Sequence, residues 1–138
     1  MGGREIYITE YDLGRLRALI LEARRAERRR NPALDHLAAE LTRARVVAPT
    51  AVPADVITMN SQVELVDLDS HEEVVYTLVF PQDADMARSK ISVLAPIGTA
   101  MLGYRVGSTF TWHVPDGVRR LQVKQVLYQP EAAGNFEL

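Results

Sequence analysis

The chain has 138 residues, 47% of them apolar and 25% charged, with a formal net charge of −2. That length fits one ordinary domain, or a small domain plus an appendage, and the charge excludes a polyanion binder that works through its overall field, leaving any nucleic-acid affinity to a local cluster. The absence of cysteine excludes disulfides, thiolate zinc sites and a cysteine nucleophile; no apolar run approaches the roughly 18 residues of a membrane span, and "MGGREIYITE" has no signal-type apolar core, so the expectation is a cytoplasmic protein.

The first third reads as helix. Thr9 can cap, Asp12 falls at the third helical position, and Ile8 can staple onto Leu13. Leu13, Leu16, Ile20 and Ala23 follow at spacings of three and four, which puts them on one face. Arg15, Arg17 and Glu22 take the opposite face. Five of the seven residues from Arg24 to Arg30 are arginine. Asn31 and Pro32 then form an N-cap and first helical residue, and Leu34, Leu37, Leu41 and Ala44 repeat the three-four spacing. Two amphipathic helices joined by so short a turn must lie antiparallel to bury both stripes. The expectation is a helical hairpin over residues 9 to about 46, a short coiled coil with arginines at its bend. A stripe this narrow is marginal alone and should lean on the rest of the chain.

In "VVAPTAVPADV", Pro49 and Pro53 end the helical part. The domain boundary is placed there, with residues 1–48 as the hairpin and 49–138 as a second domain. From Val56 onward the pattern is strand. Val63, Leu65 and "EVVYTLVF" (73–80) are rich in β-formers, separated by the turn cluster "DLDSHEE". "PQDADMARS" reads as a loop and "KISVL" as a short strand. In "STFTWHV", Phe110, Trp112 and Val114 alternate with polar residues. "PDG" at 115–117 is a hairpin turn, after which Leu121, Val123 and Leu127 share one face. "APIGTAMLGYRVG" has room for a helical turn and a bend. The class is α+β: the helical hairpin, then an antiparallel sheet of about five strands with one short helix.

Chemistry is sparse. Gly98 and Gly103 have phosphate-loop spacing, but Tyr104-Arg105 follows where Lys-Ser/Thr is needed. The better reading is conformational: Gly98 permits a tight approach, and Gly103 and Gly107 supply turns. His36, His71 and His113 lack carboxylates at ligand spacing, and no serine sits in a nucleophile elbow. These residues imply no catalytic group, no cofactor and no small-molecule substrate.

"VITMNSQVEL", "TLVFP", "ISVLAPIGTAMLGYRVG" and "YQPEAAGNFEL" resemble the Rnk family, the regulators of nucleoside diphosphate kinase, a branch of the GreA/GreB transcription factors. The resemblance runs along the whole chain. "ISVLAPIGTAMLG" is the part shared with Gre factors generally, and "YQPEAAG" is particular to the Rnk type. The resemblance implies a coiled-coil finger followed by an FKBP-like domain. It implies RNA polymerase as partner, with the FKBP-like domain docked on the rim of the secondary channel and the finger entering it. By the same match, Ala95, Pro96, Ile97 and Gly98 form the docking loop. A small, stiff, apolar loop loses little entropy when it seats in a pocket.

Gre-type transcript cleavage uses two acids at the finger tip to help hold a magnesium ion, since a hard divalent cation wants several oxygen ligands. Here the tip, Arg28, Arg29, Arg30, Asn31 and Asp35, offers one carboxylate, with Glu27 back among the arginines. The expected function is a non-enzymatic regulator. It binds polymerase near the channel, competes with Gre-type factors without stimulating cleavage, and affects kinase levels indirectly. The arginines would meet an acidic channel lining or nucleic-acid phosphates, or remain solvated. Two alternatives stay open: a nucleic-acid binder acting through Arg24, Arg25, Arg28, Arg29 and Arg30, and an enzyme, either a weak cleavage factor using Asp35 or a prolyl isomerase.

Overall fold

The computed structural model describes residues 7–26, 32–114 and 117–134. Arg28, Arg29, Arg30 and Asn31 of the expected tip, and Pro115 and Asp116 of the expected hairpin turn, lie outside the described residues.

Strand β1 (Tyr7–Ile8) leads into helix α1 (Glu10–Ala26). The Asp12 amide donates to Thr9 Oγ1 at 3.1 Å, so Thr9 caps the helix by bonding its third residue. Ile8 and Leu13, flanking that cap, are both buried in the core, as a hydrophobic staple requires. Helix α2 (Pro32–Thr42) opens on Pro32, where a missing N–H costs nothing.

Helix α2 ends sooner than the spacing predicts. Its last turn tightens, with Arg43 N–H to Glu40 O at 3.1 Å and Ala44 N–H to Leu41 O at 3.2 Å. Strand β2 (Arg45–Val46) then pairs in parallel with β1, matching Tyr7 to Arg45 and Ile8 to Val46. Val47 N–H adds a bond to Ile8 O at 2.9 Å. The β-branched residues Val46 and Val47 suit this extended pairing better than another helical turn.

The main sheet comprises β3 (Gln62–Asp67), β4 (Glu73–Val79), β5 (Lys90–Ser92), β6 (Thr109–Val114) and β7 (Gly117–Tyr128), in the order β5-β4-β3-β7-β6. The number of strands agrees with the sequence reading, but the sheet is mixed rather than antiparallel, because β4 and β5 run parallel. The intervening "PQDADMARS" is a crossover, not a reversal. Two 3-10 turns, Pro81–Asp83 and Met86–Arg88, carry the chain back to Thr77, where β5 begins to pair along the last three residues of β4. Asp85 caps the second, accepting from Ala87 N–H at 3.1 Å.

A second correction concerns β7. Leu65 faces Val123 while Glu64 faces Gln125, so Lys124 is an extra residue in the ladder. This bulge shifts the inward face by one residue. Val126 therefore packs on the core, and Leu127, expected on that face, is 43% exposed.

Helices and sheet share one core. Leu16 and Leu37 are fully buried in the same apolar cluster as Leu65, Leu78, Met101 and Val123. The narrow helical stripe thus acquires the support that its length demands. Leu37→Ala should lower stability by about 2–5 kcal/mol. Denaturant unfolding followed by helical circular dichroism and by fluorescence of Trp112 should show one coincident transition shifted to lower denaturant.

The β3–β4 turn depends on Asp67. Its buried carboxylate accepts from the amides of Asp69 (2.8 Å) and Ser70 (3.1 Å) and from Arg119 Nη1 at 3.1 Å. Those backbone bonds, led by Ser70 and reinforced by Arg119, hold the carboxyl below its ordinary value of 3.8. A depressed folded pKa adds stability above the unfolded value, and that increment is lost as pH falls below 3.8 through the lower folded value. Asp67→Asn should therefore be less stable than the parent at pH 7, with the gap closing in acid, as read from urea midpoints across that range.

Candidate functional site

The residues expected to dock and Asp35, the one expected tip residue among the described residues, occupy two separate places. The first lies at the end of β5. Val93 N–H bonds Val79 O at 2.9 Å, which extends the sheet edge by one residue. The chain then turns: Leu94 N–H bonds Ser92 Oγ at 3.0 Å and Ala95 N–H bonds Ser92 O at 3.0 Å. Helix α3 (Pro96–Met101) follows, with Ala95 extended at its N-cap and Pro96 as its first residue. Thr99 fastens the turn from inside, donating from Oγ1 to Val93 O at 2.6 Å.

Gly98 is dictated by space. A Cβ built there would lie 2.1 Å from Ser92 O, so only glycine lets α3 approach β5 this closely. Gly103 and Gly107 adopt φ values of 87° and 91°, the turn conformations assigned to them from sequence.

Of the four loop residues, Ile97 is only 5% exposed and sits in the core cluster, Gly98 is buried against Ser92, and Ala95 is half-buried. Ile97 and Gly98 thus anchor the turn from below. Spacing could not distinguish an anchoring Ile97 from a presented one, because the loop is apolar throughout.

At the second place, Arg24 Nη2 bonds Asp35 Oδ1 at 3.1 Å, tying the end of α1 to the first turn of α2. Arg25 is exposed. Asp35 is therefore already held by a guanidinium, which opposes a cation at the same oxygens. Among the described residues no three His, Cys, Asp or Glu side chains are grouped to hold a metal ion. One described carboxylate held by a guanidinium falls short of the several hard oxygen ligands that a magnesium ion takes.

A third cluster joins the two halves and was invisible in the spacing. Asp12, 3% exposed, pairs with Arg15. The Arg15 guanidinium lies 4.1 Å from the Tyr11 ring centre and 4.5 Å from that of Phe80, so it stacks between α1 and the end of β4. Burial pushes the Asp12 carboxyl above its ordinary range. Arg15 opposes that rise, while the nearby charge of Glu131 adds to it.

Glu131 belongs to "YQPEAAG", and its Oε1 accepts from Thr58 Oγ1 at 2.7 Å. Gln129 of the same segment is buried, and its Nε2 donates to Pro53 O at 2.8 Å and Val56 O at 2.7 Å. The C-terminal motif thus clamps the connection between the helices and the sheet. Only the pairing of "YQPE" with "PADVIT", some seventy residues apart in sequence, gives that motif a physical role.

The architecture is that of an α+β protein, a helical N-terminal region packed on a mixed five-stranded sheet. The family model "Transcription elongation factor, GreA/GreB, C-term" matches residues 52–128, and "Rnk N-terminus" matches residues 4–47. The chain is 45% identical over 108 residues to the regulator of nucleoside diphosphate kinase of Escherichia coli (strain K12), covering 78% of this chain and 79% of that protein. It is 33% identical over 119 residues to the transcription elongation factor GreA of Syntrophotalea carbinolica, covering 86% and 70%. The solved structure of a GreA/GreB elongation factor from Nitrosomonas europaea superposes with a TM-score of 0.79 at 41% identity, covering 90% of this chain and all of that one. The chain belongs to the GreA/GreB transcription elongation factor family, with an N-terminal half of the Rnk type. These relatives carry the names of regulators and elongation factors. Among the described residues no helix is long and apolar enough to cross a membrane.

Gln129→Leu should strand the Val56 carbonyl, leave Pro53 O with the Val56 N–H alone, and cost about 1–3 kcal/mol, read as a lower midpoint in chemical denaturation. Gly98→Ala should cost a similar amount, because the added methyl meets backbone oxygen rather than a yielding side chain.

Proposed function

We propose that the protein is a non-enzymatic regulator of transcription that docks on RNA polymerase at the rim of the secondary channel. It competes there with Gre-type factors and does not stimulate transcript cleavage. The observation that carries this reading is the Arg24–Asp35 pair: the one carboxylate expected at the tip is already engaged by its own neighbour. Family membership supports the polymerase as partner, and the names of the relatives support a regulator rather than an enzyme.

In this reading residues 1–48 are the finger and residues 49–138 form an FKBP-like docking domain. The family matches, which end at 47 and resume at 52, support that division. The finger is an antiparallel hairpin. Supporting an antiparallel arrangement, Arg24 at the end of α1 bonds Asp35 in the first turn of α2, and one groove is lined by Arg17, Ile20 and Leu21 with Ala38, Leu41 and Thr42. The docking loop is Ala95, Pro96, Ile97 and Gly98, with the core-facing Ile97 and the tightly packed Gly98 fixing the shape in which Ala95 and Pro96 are offered. The arginines at the bend suit an acidic channel lining or nucleic-acid phosphates. Effects on nucleoside diphosphate kinase follow through transcription.

Pro96→Asp tests the docking loop. Aspartate is well tolerated in the first turn of a helix, so the fold should survive. Binding to RNA polymerase, measured by fluorescence anisotropy with labelled protein, should fall at least about tenfold, the equivalent of 1.4 kcal/mol. Unchanged affinity would remove this loop from the interface.

A further inference from the structure

The two helices leave an apolar groove between them, floored in part by the outer edge of their shared core, to which Ile20 and Leu41 belong. It holds about 350 Å³ and is floored by Ile20, Leu21, Ala38 and Leu41, with Arg17 and Arg24 along its rim. Leu21 is 54% exposed, a large apolar side chain left open to water on an otherwise charged helix. The residues from α1 stand at positions i, i+3, i+4 and i+7, and those from α2, Ala38, Leu41 and Thr42, at i, i+3 and i+4. Two helices with facing stripes at this spacing form a seam into which the ridge of a third helix fits.

The rim specifies the charge of that third helix. Arg17 and Arg24 are seven residues apart, about 10.5 Å along the axis. Arg17 is exposed and has no ion-pair partner among the described residues. Arg24 bonds Asp35 through one nitrogen, while a guanidinium has five donors in all. A helix with acids seven residues apart repeats the same 10.5 Å interval, roughly, and can satisfy both arginines at once. An apolar residue between those acids then falls over Leu21.

We propose that this groove is a docking site for an amphipathic helix of a partner protein, with acidic residues seven apart flanking an apolar anchor. A nucleic-acid strand would use the arginines but leave the apolar floor unfilled, and the floor holds no aromatic ring on which a base could stack. The groove is formed by α1 and α2 and the docking loop by α3, so the two sites stand or fall separately.

The test uses two designed helical peptides of the same apolar pattern, one with Glu at the two flanking positions and one with Lys, titrated into the full-length protein. In NMR spectra the Glu peptide should shift amides between Arg17 and Arg24 and between Ala38 and Thr42, and the Lys peptide should bind at least about tenfold more weakly. Arg17→Glu and Leu21→Gln, both at exposed positions and so harmless to the fold, should each weaken the Glu peptide by a similar factor. Pro96→Asp should leave it unchanged even if polymerase binding is lost. Equal binding of both peptides, no binding, or shifts that fall elsewhere would overturn the proposal. So would a concentration-dependent dimer, seen by sedimentation, that Leu21→Gln dissolves, since the groove would then be filled by a second copy.

Discussion

The structure depends on one shared apolar cluster. Neither half of this chain has enough buried surface to be comfortable alone: the helices offer a stripe one residue wide per turn, and the sheet offers one face. Leu13, Leu16, Ile20, Leu34, Leu37 and Leu41 fill the space against the same side chains that the sheet and α3 bury. Hydrophobic burial scales with the area removed from water, so joining the two surfaces serves both. The consequence is mechanical. Helices rooted in the same core as the sheet keep a fixed orientation to it, which a flexible linker would not provide.

Polar groups at the root refine this placement. Arg15 lies between Tyr11 and Phe80 while pairing with Asp12, and Glu131 and Gln129 hold the connection from the other side. Buried charges of this kind add little net stability over apolar packing, but removing one partner is costly. Their contribution is to geometry: the aromatic sandwich and the bifurcated Gln129 amide accept one arrangement of helix, linker and sheet. The C-terminal segment is thereby tied to how the helices are carried on the sheet.

Much of this was legible in the sequence where a rule is local. The Thr9 cap, the start of α2 at Pro32, the leucine stripes and the tight approach at Gly98 each follow from the chemistry of a few neighbouring residues. What escaped was non-local. The pairing of β1 with β2 joins residues some forty positions apart. The parallel β4–β5 pair hinges on a loop whose composition is that of any turn. The bulge at Lys124 exposes Leu127 because β3 and β7 must stay in register, which no alternation in β7 alone reveals. Ile97 was read with its apolar neighbours as part of a surface loop; the contacts of α3 put it in the core. The candidate site was legible chiefly through family resemblance, since spacing showed that catalytic constellations were missing but could not say what replaces them.

The finger tip carries the functional claim. Arg24 occupies one oxygen of Asp35 at 3.1 Å, and the sequence just before it is arginine-rich, both of which oppose a divalent ion at that carboxylate. On the reading proposed above, such a finger would occupy the channel without supplying the carboxylates that cleavage chemistry needs. The direct measurement is transcript cleavage in a backtracked RNA polymerase complex at a fixed dose of a Gre factor, with this protein titrated in. Cleavage should fall with dose as the protein takes the shared rim and contributes no chemistry of its own. A rise in cleavage would contradict the account and return Asp35 to consideration as a metal ligand.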